Sequence, residues 1–448
     1  MTFFISIPLF LIYMNVPVVL ITEHGMPRPL AYLVPLVLAV PVAYRVLLQG
    51  EALRFPSMII AALLMLACHT LSALVSTSPL TGLESVFSWL LEGVLLAFIL
   101  VNTLRSRSEV LVAARTIVAA GALMGFLVLL QQMLGPTEYT MAGFGQISAE
   151  DLDRVQYRLS GPIGEQNRFA QIMAVLIPLA AGLAITAPAR QRWLYWTATV
   201  LIFGGVLLTF SRGALVALVL AIPFALLFGF LRLRHLVVAA VGGALLITVM
   251  PFMISMPYLT QKVASIGEVV LLSTGLAPGG LRNADGAARG RITSMQAAGL
   301  LFLDNPLLGA GPGMAPLHYQ EYALLAGGKV RATTRRAHNL YLELAAETGV
   351  IGLLAFLGML WTVLQGVDGA RRRAQYSDRE LWGLVCGLEL GVLILLATSV
   401  FLHASYIRYF WLLLALAVAA AALPRRQMLA EILPLIIRTP PGRLERPA

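Results

Sequence analysis

Apolar stretches close to the ~20 residues that a bilayer-crossing helix needs recur along almost the whole chain, at roughly 3–21, 29–48, 57–76, 82–102, 110–134, 167–187, 192–210, 212–231, 235–256, 339–366, 380–402 and 406–423. Inside a bilayer the backbone finds no water, so its N–H and C=O groups must bond one another, and a chain of this pattern folds into a bundle of helices. Composition points the same way. Of 448 residues 59% are hydrophobic and 12% charged, with a mean hydropathy of +0.83, far beyond what a water-soluble protein uses to bury a core. The expected fold is all-α and polytopic, with about twelve transmembrane helices and a helical soluble segment between the ninth and tenth. Residues 1–256 would carry spans one to nine with a short linker near 135–166, residues 257–337 the soluble segment, residues 338–423 spans ten to twelve, and residues 424–448 a tail. Met1-Thr2-Phe3-Phe4 has no basic start and no small-residue cleavage site follows it, so the first stretch reads as a retained span. Cys68 and Cys386 fall inside separate stretches, a spacing that implies neither a disulfide framework nor a zinc site.

The formal charge of +10 is informative through its distribution. With a cytoplasmic N-terminus and alternating spans, one side of the membrane collects Arg45, Arg54, Arg105, Arg107, Arg190, Arg192, Arg232, Arg234, Arg371, Arg372, Arg373, Arg425 and Arg426. This is the positive-inside pattern. It puts both termini in the cytoplasm and the two longer connections outside, and it makes nucleic acid an unneeded partner. Some basic residues are then on the wrong side: Lys262, Arg282, Arg289, Arg291, Lys329, Arg331, Arg335 and Arg336 in the long outer segment, and Arg212 in a very short outer turn. Arginine keeps its charge and offers a planar fork of donors to phosphate oxygens. An external lipid headgroup or pyrophosphate is the matching partner; a solvated, ion-paired loop face is the alternative.

Position sharpens two of these. In Thr209-Phe210-Ser211-Arg212-Gly213, Ser211 is placed to cap the helix that follows, whose free amides would favour an anion beside Arg212; snorkelling to outer headgroups is the simpler reading. From Arg291 to Leu303 the sequence predicts an amphipathic helix with its apolar stripe at Ile292, Met295, Gly299 and Leu303, stopped by Asp304-Asn305-Pro306. The turn Gly309-Ala310-Gly311-Pro312-Gly313 lacks the lysine of a nucleotide-binding loop and reads as a packing turn.

His338 opens the run into the next apolar helix. A neutral imidazole is suited to accept a proton at neutral pH, and Arg335 and Arg336 just before it favour the neutral ring; a capping or interfacial histidine is the alternative. Glu347, nine residues on, is expected to pair helix to helix. Asp151-Leu152-Asp153 behind Glu150 has the look of a metal-binding pair but is common in solvated loops, and no metal is expected. His24, His69, His235, His318 and His403 are scattered without ligand spacing. A transporter would place ionisable residues and broken helices near the midplane, often in two repeated halves. Here there is no half-to-half repeat, and the acids within spans reduce to Glu84, Glu92 and Glu389.

Taken in order, Thr209-Phe210-Ser211-Arg212-Gly213, Gly290-Arg291 leading to Asp304-Asn305-Pro306-Leu307-Leu308-Gly309-Ala310-Gly311-Pro312-Gly313, and His338-Asn339 leading to Glu347-Thr348-Gly349 resemble the successive signatures of the O-antigen ligase and polymerase superfamily. Gly161-Pro162-Ile163-Gly164-Glu165-Gln166-Asn167-Arg168 resembles that family's asparagine-containing entry to a span, with Gln166 in place of the usual small residue or proline. The resemblance implies a bacterial inner-membrane glycosyltransferase that takes a glycan from undecaprenyl diphosphate. Its ligases join O-antigen to lipid A-core on the periplasmic side, without metal or cofactor. Carried over, Arg212 and Arg291 are the arginines of the donor diphosphate and His338 the essential histidine. Asn167, Arg168, Arg335, Arg336 and Asn339 are expected to bind substrate. A polymerase or a protein O-oligosaccharyltransferase would use the same donor and differ in acceptor.

Overall fold

The computed structural model describes residues 2–147, 157–231, 286–328, 335–402 and 408–423. Within them a helix stands at each expected apolar stretch; the ninth, 235–256, lies outside the described residues, as does the Asp151-Asp153 pair. Six helices are long and apolar enough to cross a membrane: Ser57–Leu74, Pro79–Thr103, Arg107–Leu134, Gln166–Thr186, Leu340–Ser377 and Arg379–Thr398. The number rises to eight if Phe3–Tyr13 with Val16–His24, bent by 49°, and Leu30–Val37 with Val40–Gln49, bent by 44°, each form one span. Arg212–Leu227 and Arg408–Ala421 are apolar but shorter. Length and apolarity therefore support six to eight crossings among the described residues, fewer than the twelve expected from hydropathy alone.

The bends have local causes. Asn15 takes a left-handed conformation with φ 59°, and Pro17 at the start of the second helix brings no N–H to continue the first. Pro35 and Pro41 flank the second bend in the same way. The only strands among the described residues, Gln146–Ile147 and Leu159–Gly161, pair antiparallel.

The bundle has two chemically different ends. At one, arginines meet carboxylates: Arg45 with Glu109, Arg105 with Glu51, Arg107 with Asp378 at 2.9 Å and Glu380 at 2.6 Å, and Arg371 with Glu389 at 2.7 Å. Ser106 and Glu109 form a capping box there, which fixes the start of Arg107–Leu134. The other end holds the paired strands, the Thr209–Gly213 turn, the helices Gly286–Asp304 and Ala315–Leu325, and His338.

Gly286–Asp304 stops where the sequence indicates, but it starts before the expected Arg291 and buries a different face. Ser294, Ala297, Ala298 and Leu301 are buried, whereas Leu303 is 68% exposed. Small side chains decide this. They let the helix approach Ala315, Tyr319 and Ala323 of its neighbour, together with Ala337 and Ala346, more closely than the bulkier stripe would allow.

The glycine-rich turn completes a break in the next helix. Leu340–Ser377 is interrupted at Gly349, where φ is 65° and ψ −170°, and the polar groups released by the break are taken by the turn. Ala310 N–H donates to Ala346 O at 2.8 Å, Gly311 N–H to Glu347 O at 2.9 Å, and Val350 N–H to Pro306 O at 2.8 Å. A Cβ at Gly349 would overlap the Leu307 carbonyl, and one at Gly309 the backbone of Glu347 and Thr348. The helix-to-helix role expected of Glu347 takes a specific form: its carboxylate accepts from Ala315 N–H at 3.4 Å, at the start of Ala315–Leu325. Ser72 donates to the Glu347 carbonyl at 2.8 Å, tying the break to the membrane bundle.

Candidate active site

Three turns meet around the last residues of Arg379–Thr398. Gln171, on the Gln166–Ala174 helix, donates to Thr398 Oγ1 at 2.7 Å and Ser399 Oγ at 3.2 Å. Leu340 N–H, two residues beyond His338, donates to Ser399 O at 2.9 Å. Gly213, beside Arg212, lies against Phe401, whose side chain would sit 3.4 Å from a Cβ built there. The entry containing Asn167 and Arg168, the Arg212 turn and the His338 turn are thus assembled on one scaffold.

His338 is held from both sides by its own helix. Asn339 accepts from Leu342 N–H at 3.0 Å as the cap, and Glu343 reaches back to accept from Ala337 N–H at 3.3 Å. Between them the His338 backbone sits in the left-handed region at φ 51°, which is uncommon for a residue with a Cβ. Burial presses the ring's pKa down from 6.5 to about 4; Arg291 adds to this, Glu165 opposes it, and Arg335 contributes a smaller push in the same direction. With its pKa near 4 the ring is neutral at physiological pH, under the influence of Arg291 from another helix and Arg335 from its own turn.

Glu165 organises the entry on the other side. Its carboxylate accepts from Asn167 N–H at 3.0 Å and Arg168 N–H at 2.7 Å, capping Gln166–Ala174, and from Asn167 Nδ2 at 3.0 Å. A negative group at a helix start is favoured by the free amides and the helix dipole. Asn167 Oδ1 in turn accepts from Arg158 at 3.1 Å. The same guanidinium donates to Thr209 O at 2.9 Å and Phe210 O at 3.4 Å, so Arg158 fastens the Asn167 entry to the turn that presents Arg212. Phe210 has φ 52°, the second left-handed residue with a side chain at this end of the site.

The expected residues fall into two groups. Arg291 and Arg335 act on His338 electrostatically. Arg212 stands at the first position of its helix, next to the Arg158 anchor. Arg336 pairs with buried Glu343 at 3.1 Å, so of the two arginines preceding His338 it is Arg335 that depresses the ring. Arg168 feels the charges of Glu165, Arg336 and Glu343. Asn167 and Asn339 have their side-chain oxygens engaged in structure, one by Arg158 and one as a cap. Ser211 makes no side-chain cap; its N–H donates instead to Thr209 Oγ1 at 3.2 Å. Arg282, Arg289, Lys262, Lys329 and Arg331 have side chains outside the described residues.

Sequence reasoning missed Arg158, Glu165 and Glu343. Arg158 carried the signal used for the other arginines, a cation in an outer connection, but in the shorter of the two linkers. Glu165 and Glu343 meet partners close in the chain, Asn167 with Arg168 and Arg336 with Ala337, but glutamate is not among the usual capping residues and neither spacing is a standard signature. Among the described residues no three His, Cys, Asp or Glu side chains gather as a metal site would require. The arrangement suits a reaction in which an anionic group is held by fixed guanidinium groups while a neutral ring takes a proton. Residues 197–357 match the sequence profile of a family described as O-Antigen ligase; the matched region includes Arg212, Arg291, Arg335, Arg336, His338 and Asn339, and Asn167 and Arg168 precede it. No curated protein matches the chain.

Proposed function

The chain belongs to the O-antigen ligase/polymerase superfamily, and on that premise we propose that it is an O-antigen ligase, transferring a glycan from undecaprenyl diphosphate to lipid A-core at the periplasmic face of the bacterial inner membrane. The observation that carries this reading is the neutral His338 ring set among Arg291 and Arg335, with Arg212 anchored to the same scaffold.

In the proposed reaction the acceptor hydroxyl attacks the anomeric carbon as the bond from that carbon to the diphosphate oxygen breaks. The new bond forms on the opposite face, and the configuration inverts. Negative charge grows on the departing diphosphate, and guanidinium groups fixed before the reaction stabilise it where it develops. Arg212 and Arg291 fill that role, and His338 takes the acceptor proton. In this reading Arg335 and Arg336 meet phosphates of the lipid A-core acceptor. The reaction as written draws no electrons and no metal, so transfer is expected to persist in excess chelator.

Deleting the gene and resolving the cell-surface lipopolysaccharide tests the reading. A ligase leaves core without O-antigen while polymerised lipid-linked glycan accumulates. Core bearing a single repeat would assign the chain as a polymerase, and an unchanged ladder would point to a protein acceptor or to transport. In purified protein, His338→Ala is expected to lower transfer by roughly 10²–10⁴-fold, the usual contribution of a general base; near-normal transfer by a folded variant would remove His338 from the mechanism.

A further inference from the structure

At the end of the bundle opposite His338, a cavity of about 510 Å³ opens among the start of Ser57–Leu74, the close of Pro79–Thr103 and the last turns of Leu340–Ser377 and Arg408–Ala421. Ligand sites span roughly 300–1,000 Å³, so it can hold a small headgroup. Its walls are mostly apolar, with Met58, Leu104, Val363 and Val418 prominent, and its charged lining residues are Arg54 and Arg373, with no carboxylate.

Arg54 is fixed there by its backbone. Its N–H donates to Asn102 Oδ1 at 2.8 Å and its carbonyl accepts from Asn102 Nδ2 at 3.1 Å. Its Nη1 is buried and has no hydrogen-bond partner among the described residues. A buried charged donor left unbonded is costly. Other arginines at this end show how the fold treats a cation it means to neutralise. Arg45, Arg105, Arg107, Arg115, Arg371 and Arg372 each meet a carboxylate. Arg54 and Arg373 instead share an acid-free hollow.

We propose that this cavity binds the phosphate of an anionic phospholipid, with Arg54 and Arg373 on the headgroup and the apolar wall against the start of an acyl chain. Two guanidinium groups lining one hollow without a carboxylate favour a headgroup of net negative charge over one whose phosphate is already balanced by its own ammonium. Apolar walls at the mouth of a membrane-crossing bundle select an amphiphile over a free ion. The site is separate from the reaction centre. The helix from Val350 to Ser377 runs between the two ends, about 40 Å at 1.5 Å per residue.

Native mass spectrometry of the full-length protein, released from nanodiscs of phosphatidylglycerol or of phosphatidylcholine, tests this. One retained phosphatidylglycerol per chain is expected, falling at least about 10-fold in Arg54→Gln/Arg373→Gln and staying unchanged in Arg190→Gln, an exposed arginine outside the cavity. Arg373 is exposed, so Arg373→Gln alone provides a variant expected to fold and to lose several-fold retention. Equal retention of the two lipids, or full retention by either variant, would overturn the proposal. Displacement of the lipid by inorganic phosphate would assign the site to a free anion and overturn it as well.

Discussion

If His338 is the base of the proposed transfer, its surroundings set how the rate depends on pH. The neutral ring is the active form of a base, so activity is lost as pH falls through the ring's pKa. With a pKa of about 4, about 90% of the rings stay neutral at pH 5; with the ordinary value, only about 3% would. An assay of kcat/KM for the lipid-linked donor between pH 4 and pH 8 therefore separates the two cases by roughly thirtyfold at pH 5. The proposed donor, a diphosphate diester, has no ionisation in this range, so the acid limb would belong to the protein. Arg335→Gln should move the limb upward, because one cation that disfavours the imidazolium is gone. Burial and Arg291 remain and are the two largest depressing influences, so the midpoint should stay below 6.5. A further consequence concerns the bound state. A diphosphate between the arginines offsets their charge, so the limb of kcat, which reports the complex, should lie at higher pH than that of kcat/KM, which reports the free enzyme. A wild-type midpoint near 6.5, a downward shift in Arg335→Gln, or a kcat limb below that of kcat/KM would each refute the account.

Arg158→Ala should cost about 1.5–3 kcal/mol, the usual range for a hydrogen bond made by a charged donor, since it releases Thr209 O, Phe210 O and Asn167 Oδ1 together. Thermal unfolding in detergent measures that cost, and transfer should fall further than unfolding explains because the Arg212 turn loosens. Arg336→Gln leaves the Glu343 carboxylate, only 1% exposed, without its cation, and should destabilise by roughly 1–3 kcal/mol; adding Glu343→Gln should restore the melting temperature. If transfer returns with it, Arg336 serves the fold, and if transfer stays low, Arg336 contacts substrate. Gly349→Ala should cost about 3 kcal/mol or more through overpacking and strain, and limited proteolysis should then cut between residues 304 and 315 faster, because the turn there closes onto that break. Wild-type proteolysis of this variant would show that the break does not hold the turn.

The helices were legible because a bilayer imposes one solution on a long apolar stretch. Where those helices bend or break was less so. Gly349 sits in a run that reads as continuous helix, and its conformation is set by Pro306 and Leu307 packing against it from another segment. The buried face of Gly286–Asp304 departs from the apolar stripe for a related reason: Ala297 and Ala298, and not the larger apolar residues, permit the closest contact and so decide which side is buried. Ser211 has the right residue type for a cap, but the left-handed Phe210 before it turns its N–H onto Thr209 instead. At the site, arginines in unexpected places and a histidine at a helix entry could be read locally. Their partners could not: Arg158 matters through the distant Thr209-Phe210 turn, and Glu165 and Glu343 cap and pair locally without a standard capping residue to mark them.

Phe210 and His338 are the two strained residues at the site; the first stands two residues before Arg212 and the second is itself assigned to the chemistry. A left-handed conformation in such a residue costs on the order of 1–3 kcal/mol and persists only if its surroundings over-determine it. Here they do. The Phe210 carbonyl is taken by Arg158, while His338 lies between Ala337, held by Glu343, and Leu340, held by Ser399. None of these anchors depends on a bound substrate. The strain is met by the helical bundle before donor or acceptor arrives, which leaves binding free energy available for the reaction instead of for ordering the loops. For a charge-stabilised displacement this is the favourable arrangement, because donors already in place need not reorganise as charge develops on the leaving group. The turns that carry Arg212 and His338 are thus better regarded as parts of the scaffold than as loops awaiting a ligand.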